Sequence, residues 1–148
     1  MNAYMTSLVF PDINVWLALN ARRHVHTAAA DKWLLDLPPQ TGLAFCRFTQ
    51  MGLLRLLTTE AVMQSEVLTQ KQAWKIYDGW FHQGWAVFLQ EHADLELGFR
   101  MHTQRHTVSP KDWADSYLAA FSHAAEVRLV TFDRALSQRA KGTILLKG

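Results

Sequence analysis

Apolar and polar positions fall along this chain in blocks that read as short strands separated by amphipathic helices. Leu8-Val9-Phe10 is an apolar run suited to a buried strand. It ends at Pro11-Asp12, and apolar residues resume with helical spacing from Ile13 to Leu19. After a polar connection, a helix is predicted from about Val25 to Leu37, with Ala28, Trp33, Leu34 and Leu37 as contacts and Pro38-Pro39 as its stop. Leu43-Ala44-Phe45-Cys46 reads as a second strand, and the apolar segment Thr49–Leu57 as a central helix buried on most sides. Thr69–His82 is a further long helix ended by Gly84, Trp85–Leu89 a third strand, and Ala93–Gln104 again helical. Ser109-Pro110-Lys111-Asp112 carries the marks of a helix start: Ser at the N-cap, Pro in the first turn, and Asp closing a capping-box-like pair. That helix runs to about Glu126. Arg128–Phe132 is a fourth strand ending at Asp133, followed by a short basic helix, Ala135–Ala140, and a last strand, Thr143–Leu146. Strands alternating with helices imply an α/β fold of three layers, with a parallel sheet of four to five strands in the middle. Residues 1–148 read as a single domain.

Composition narrows the class without naming a function. Of the 148 residues 49% are apolar and 19% charged, the balance of an ordinary globular protein with a real core. No apolar run approaches the roughly 20 residues that span a bilayer. The first residues carry no basic segment leading into an apolar one, so no signal peptide is expected; Met5 is a possible alternative start. Cys46 is the only cysteine, which excludes an internal disulfide and fits the cytoplasm. A net charge of +2 permits nucleic-acid binding without arguing for it.

The chemistry points to carboxylates. The first and fourth strands each deliver an aspartate at the same sheet edge, Asp12 and Asp133, where parallel sheets place their ligands. Asp12 would also serve as an ordinary helix cap. Asp112 sits in the capping position of its helix, whereas Asp115 lies one turn in, on a small apolar side shared with Leu118, Ala119 and Ser122. Carboxylates about 5 Å apart repel by about 3 kcal/mol per pair at an effective dielectric of about 20. A Mg²⁺ or Mn²⁺ ion, which prefers oxygen ligands, removes that penalty and suits phosphoryl chemistry.

Four segments together carry a resemblance: Asp12-Ile13-Asn14-Val15-Trp16-Leu17-Ala18-Leu19, Phe48-Thr49-Gln50-Met51-Gly52-Leu53-Leu54-Arg55, Trp113-Ala114-Asp115-Ser116-Tyr117-Leu118-Ala119-Ala120 and Leu129-Val130-Thr131-Phe132-Asp133-Arg134. In order and spacing they resemble the PIN-domain ribonucleases, and within these the VapC toxins of bacterial type II toxin–antitoxin pairs. The resemblance implies a PIN-like fold and a Mg²⁺- or Mn²⁺-dependent endoribonuclease. Its acidic residues would be Asp12, Asp115 and Asp133, with Asn14 and Thr131 hydrogen-bonding to them or to bound water. It also implies a cognate antitoxin of the VapB type. One departure stands out. Many such domains carry a glutamate where this chain has Gln50, and an amide binds metal weakly and cannot act as a base.

Other features read blandly or stay open. His102 and His106, four apart on a predicted helix, lack the further ligands that zinc needs. The six tryptophans, at helical spacing, are expected in the core or an interface rather than as base-stacking platforms. Arg134, Arg139 and Lys141 follow Asp133 and form either a solvated helix face or a phosphate-binding edge for RNA. Trp33, Trp74, Tyr77, Trp80 and Phe81 exceed what one small domain buries easily, so part of them is expected at a homodimer interface or an antitoxin groove. Two rivals remain. A haloacid-dehalogenase-like phosphatase needs a second aspartate where Asn14 stands. A non-catalytic RNA-binding or regulatory module of the same fold has Gln50 in its favour.

Overall fold

The first strand, β1 (Ser7–Pro11), occupies the middle of the sheet, and the rest of the chain is laid out on either side of it. The computed structural model describes residues 5–148, so the reading of Met1–Tyr4 lies outside the described residues. β2 (Thr41–Phe45) and β3 (Ala86–Phe88) add to one edge of β1, then β4 (Arg128–Thr131) and β5 (Ile144–Leu145) to the other. The order is β3-β2-β1-β4-β5 and every pairing is parallel.

Both faces are covered, which is why the strands are apolar on both sides rather than alternating with polar residues. One face carries α1 (Ile13–Asn20), α2 (Thr27–Leu35), α3 (Arg47–Leu57), the short α4 (Glu60–Met63) and α5 (Gln70–His82). The other carries α6 (Leu95–His102), α7 (Asp112–Ala124) and the short α8 (Arg134–Ser137). The period-two alternation of a strand assigns neighbours to opposite cores. Val9 and Phe45 enter the first, where Trp16 stacks on Phe45 at 3.8 Å. Phe10 and Ala44 enter the second, where Phe10 meets Phe121 at 4.9 Å.

The expected elements are present with shifted ends, and Gly84 does stop α5, in the left-handed region at φ 80° where a side chain would strain the backbone. Two expectations are corrected. α3 is not buried on most sides: it buries the stripe Thr49, Gln50, Leu53 and Leu57, while Met51 is 61% exposed, because the helix lies in an outer layer. Ser109 is not an N-cap. Its carbonyl accepts from the Asp112 N–H at 3.0 Å in a turn that spends Pro110 and Lys111, and α7 begins only at Asp112 with no side-chain cap. Tyr77 is buried core, and Trp33, Trp80 and Phe81 pack partly buried against that core, so of the five aromatics only Trp74 is largely exposed.

Phe45 touches Trp16, Tyr77 and Phe81 at once. Phe45→Ala is therefore expected to cost about 3–5 kcal/mol in urea unfolding; a loss below about 1 kcal/mol would mean that this aromatic cluster does not hold the sheet to its helices.

Candidate active site

The sheet grows in one direction from β1 to β3 and in the other from β4 to β5, so the topological switch lies between β1 and β4. Crevices beyond the carboxyl ends of strands form at such switch points. Asp12 and Asp133 stand there, each immediately past or near a strand end and each capping the helix that follows.

Asp12 is 4% exposed. One carboxylate oxygen accepts from the Val15 N–H at 3.0 Å, and the other accepts a short hydrogen bond from the Thr131 hydroxyl. The same hydroxyl oxygen accepts from the Asp133 backbone N–H at 2.9 Å. Thr131, wholly buried, thus links the two strand ends through one oxygen. Asp133 turns one carboxylate oxygen back onto its own helix, accepting from Ala135 N–H at 2.8 Å and Leu136 N–H at 3.2 Å. Burial pushes the Asp12 carboxyl up to about 6 against the pull of its hydrogen bonds, and the charge of Asp133 pushes the same way. Asp115, on α7, is also raised, by burial first and then by the charge of Asp133. The charge of Asp133 therefore acts on both of the other aspartates.

The remaining candidates separate. Asp112 is neither a cap nor a member of that acidic group. It accepts from Arg139 through a short bond and from Ser116 Oγ at 3.0 Å, and pairs with Arg105 at 3.2 Å. Burial works to raise its carboxyl, but the Arg139 and Ser116 hydrogen bonds and the two guanidinium charges outweigh it and hold it low. Arg139 is spent there too, donating also to Ser116 Oγ at 2.7 Å and the His102 carbonyl at 3.2 Å, with its side chain 19% exposed. It is a tie between α6, α7 and the segment after α8 rather than a free phosphate ligand. Arg134 and Lys141 remain exposed. Gln50 is buried, and its amide oxygen accepts from Arg47 at 2.5 Å. Asn14 is exposed; its backbone N–H helps hold the Asp12 carboxylate, and no hydrogen bond from its side-chain amide to either strand-end carboxylate is present among the described residues. α6 ends at His102, so His106 does not share its helix. Sequence reasoning missed Arg105 and Ser116; a lone arginine in a loop and a serine inside a helix carry no signal of the carboxylate they meet.

Asp12, Asp115 and Asp133 have no salt-bridge partner among the described residues. An oxygen-only donor set with a buried, cation-less carboxylate fits Mg²⁺ or Mn²⁺. Among the described residues no three His, Cys, Asp or Glu side chains converge on one point. Mg²⁺ asks for less, since one or two carboxylates with waters and substrate phosphates hold it.

The chain is 39% identical to Ribonuclease VapC41 of Mycobacterium tuberculosis over 131 residues, 86% of this chain and 90% of that relative. The chain belongs to the VapC family of PIN-domain ribonucleases. The VapC fold is evident in solved structures as well. The crystal structure of Mycobacterium tuberculosis VapC20, a toxin that cleaves the sarcin–ricin loop, covers 89% of this chain and 94% of its own, with a TM-score of 0.60 at 17% identity. The VapBC2 complex of Rickettsia felis, bound to a DNA fragment from its promoter, matches with a TM-score of 0.56 at 12% identity, over 93% of this chain and 96% of that one. No family model matches the chain.

In this VapC chain Asp12 titrates near pH 4 when unfolded and about 6 when folded. Its contribution is whole below about pH 4 and is lost as pH rises through about 6, where the fold must ionise a buried group. In metal-free protein, Asp12→Asn is expected to gain about 3 kcal/mol on wild type between pH 4 and pH 8. Urea midpoints measured across that window check it, and a constant difference would remove burial as the governing cause.

Proposed function

We propose that this VapC chain is a Mg²⁺- or Mn²⁺-dependent endoribonuclease acting as the toxin of a type II toxin–antitoxin pair, with Asp12, Asp115 and Asp133 as its catalytic carboxylates. The observation that carries the reading is the pair at the switch point: a buried Asp12 joined through the Thr131 hydroxyl to Asp133, neither with a salt-bridge partner among the described residues. Asp12 and Asp133 would hold the ion, with Asp115 facing it from α7. A bound divalent ion would supply a hydroxide nucleophile near neutral pH and charge stabilisation at the phosphodiester. The chain's own part is positioning. Thr131 fixes the Asp12 carboxylate through its hydroxyl, and the Arg139–Asp112 tie holds the first turn of α7, from which Asp115 projects. Arg134, exposed and next to Asp133 in the chain, would meet RNA phosphates; Lys141 lies with Arg128 at the opposite end of β4. Gln50, already engaged by Arg47, adds no acid to the set.

Purified protein incubated with RNA in Mg²⁺, Mn²⁺ or chelator tests the reading. Asp115→Asn should lower the cleavage rate by about 100-fold or more, equivalent to about 2.7 kcal/mol, while the metal-free protein keeps or gains stability through relieved repulsion. Calorimetry with Mn²⁺ should show binding that weakens sharply in Asp12→Asn and Asp133→Asn. Cleavage that persists in chelator, or Mn²⁺ affinity unchanged in both variants, would exclude the mechanism.

The same reading supplies partners. Met51 on α3 and Trp74 on α5, 61% and 46% exposed, flank two clefts that share Leu54 and Arg55. That apolar surface suits a second copy of the chain or an amphipathic segment of a VapB-type antitoxin. A basic side chain of the antitoxin reaching the three aspartates would silence the site. Light scattering on the eluted protein should give twice the 17.0 kDa chain mass, and co-expression with the adjacent gene should yield a complex in which RNA cleavage is lost. A monomer that stays active beside that gene product would rule out both partners.

A further inference from the structure

Beside α7 lies a pocket of about 240 Å³ between the loop that follows α6 and the first turn of α7. Resting on the ribonuclease reading above, we propose that it binds one unpaired nucleotide of the RNA substrate, with the base against Trp113 and the phosphate against Arg105. Charge is the first reason. Asp112 already holds Arg139, so it does not depend on Arg105, the one guanidinium group lining the pocket among the described residues. Arg139 is shielded, at 19% side-chain exposure, whereas Arg105 is 53% exposed and within reach of an incoming anion. An anion is therefore the complementary ligand.

Shape and chemistry add the rest of a nucleotide. Trp113 is 59% exposed, a poor place for an indole that serves packing alone. Phe99 braces the ring edge-to-face at 5.9 Å, which fixes its plane without covering it with a stacked partner. Single-stranded RNA is recognised by bases stacked on such rings and on guanidinium planes. Thr107 and Ser109 line the same pocket with hydroxyls 3.3 Å apart, which keep capacity for a base edge or a 2′-hydroxyl. Trp113 precedes Asp115 by two residues on α7, which turns the two side chains about 200° apart around the helix. The pocket therefore serves a nucleotide held on the other side of α7 from Asp115, anchoring the substrate away from the scissile phosphate.

Fluorescence anisotropy with a short mixed-sequence single-stranded RNA in chelator, where nothing is cut, tests this on the full chain. Trp113→Ala is expected to weaken binding about 5- to 150-fold with the salt dependence unchanged, and Trp113→Phe to retain most of it. Arg105→Ala should reduce the slope of log affinity against log salt by about 0.7. Asp112 keeps Arg139 in that variant, and Trp113 is exposed, so both variants are expected to fold. Wild-type protein that fails to bind the RNA, or Trp113→Ala that binds as wild type does, would overturn the pocket. A cleavage assay in Mg²⁺ runs in parallel. RNA bound through Trp113 but never cut would support the pocket and overturn the nuclease reading, whereas cleavage with unchanged Trp113→Ala binding would do the reverse.

Discussion

A single hydroxyl sets the terms for the rest of the molecule. Thr131 donates to Asp12 and accepts from the backbone of Asp133, joining two strand ends whose residues lie 119 apart in sequence. A carboxylate 4% exposed would cost several kcal/mol unless satisfied. The fold meets that demand with one side-chain donor and the N–H groups at the start of α1. This requires β1 and β4 to be neighbours, in a register where Phe10 faces Leu129 and Pro11 faces Val130. Shifting β4 by one residue would turn Thr131 to the opposite face of the sheet and leave Asp12 without it. The threonine also matters as a shape: valine would fill the same volume and leave two polar partners stranded in the interior.

The parts legible in the sequence share one property, that the signal is local. Apolar runs of strand length, Pro38-Pro39, Gly84, and aspartates closing β1 and β4 each declare themselves within a few residues. The four motifs that placed Asp12, Asp115 and Asp133 are local in the same sense. What was misread depends on partners distant in the chain. Ser109-Pro110 has the pattern of a helix start, but the chain turns once more before α7 because Asp112 is drawn into contact with Arg139, 27 residues later. Arg139 looked like a surface cation for the same reason. Tyr77 and Trp74 sit on one helix with the same hydrophobic weight, and only the position of Phe45 beneath Tyr77 decides which of them is interior.

Charge in the upper part of the molecule is sorted rather than mixed. Asp12 and Asp133 stand at the switch point without a salt-bridge partner among the described residues, while Asp112, one turn from Asp115, is given two arginines. The two arrangements meet at Asp115: the charges of Asp133 and Asp112 push its carboxyl up, and Arg139 draws it down. The boundary between the uncompensated and overcompensated carboxylates runs along the first turn of α7. A polyanion approaching there meets attraction on one side of that turn and repulsion on the other.

The distance in sequence between Asp12 and Thr131 has a consequence for how the chain comes to life. β1, β2 and β3 with their helices can associate as soon as they are made, since their pairings span a few dozen residues. The β1–β4 pairing must wait until the chain has been synthesised past Thr131, at a rate of roughly 5–20 residues per second. A partly made chain therefore emerges with Asp12 at an open strand edge, lacking both its hydroxyl partner and Asp133. Whatever the assembled centre does, a chain made only as far as α7 cannot do it. The chemistry waits on the second of two strands that the sequence keeps far apart.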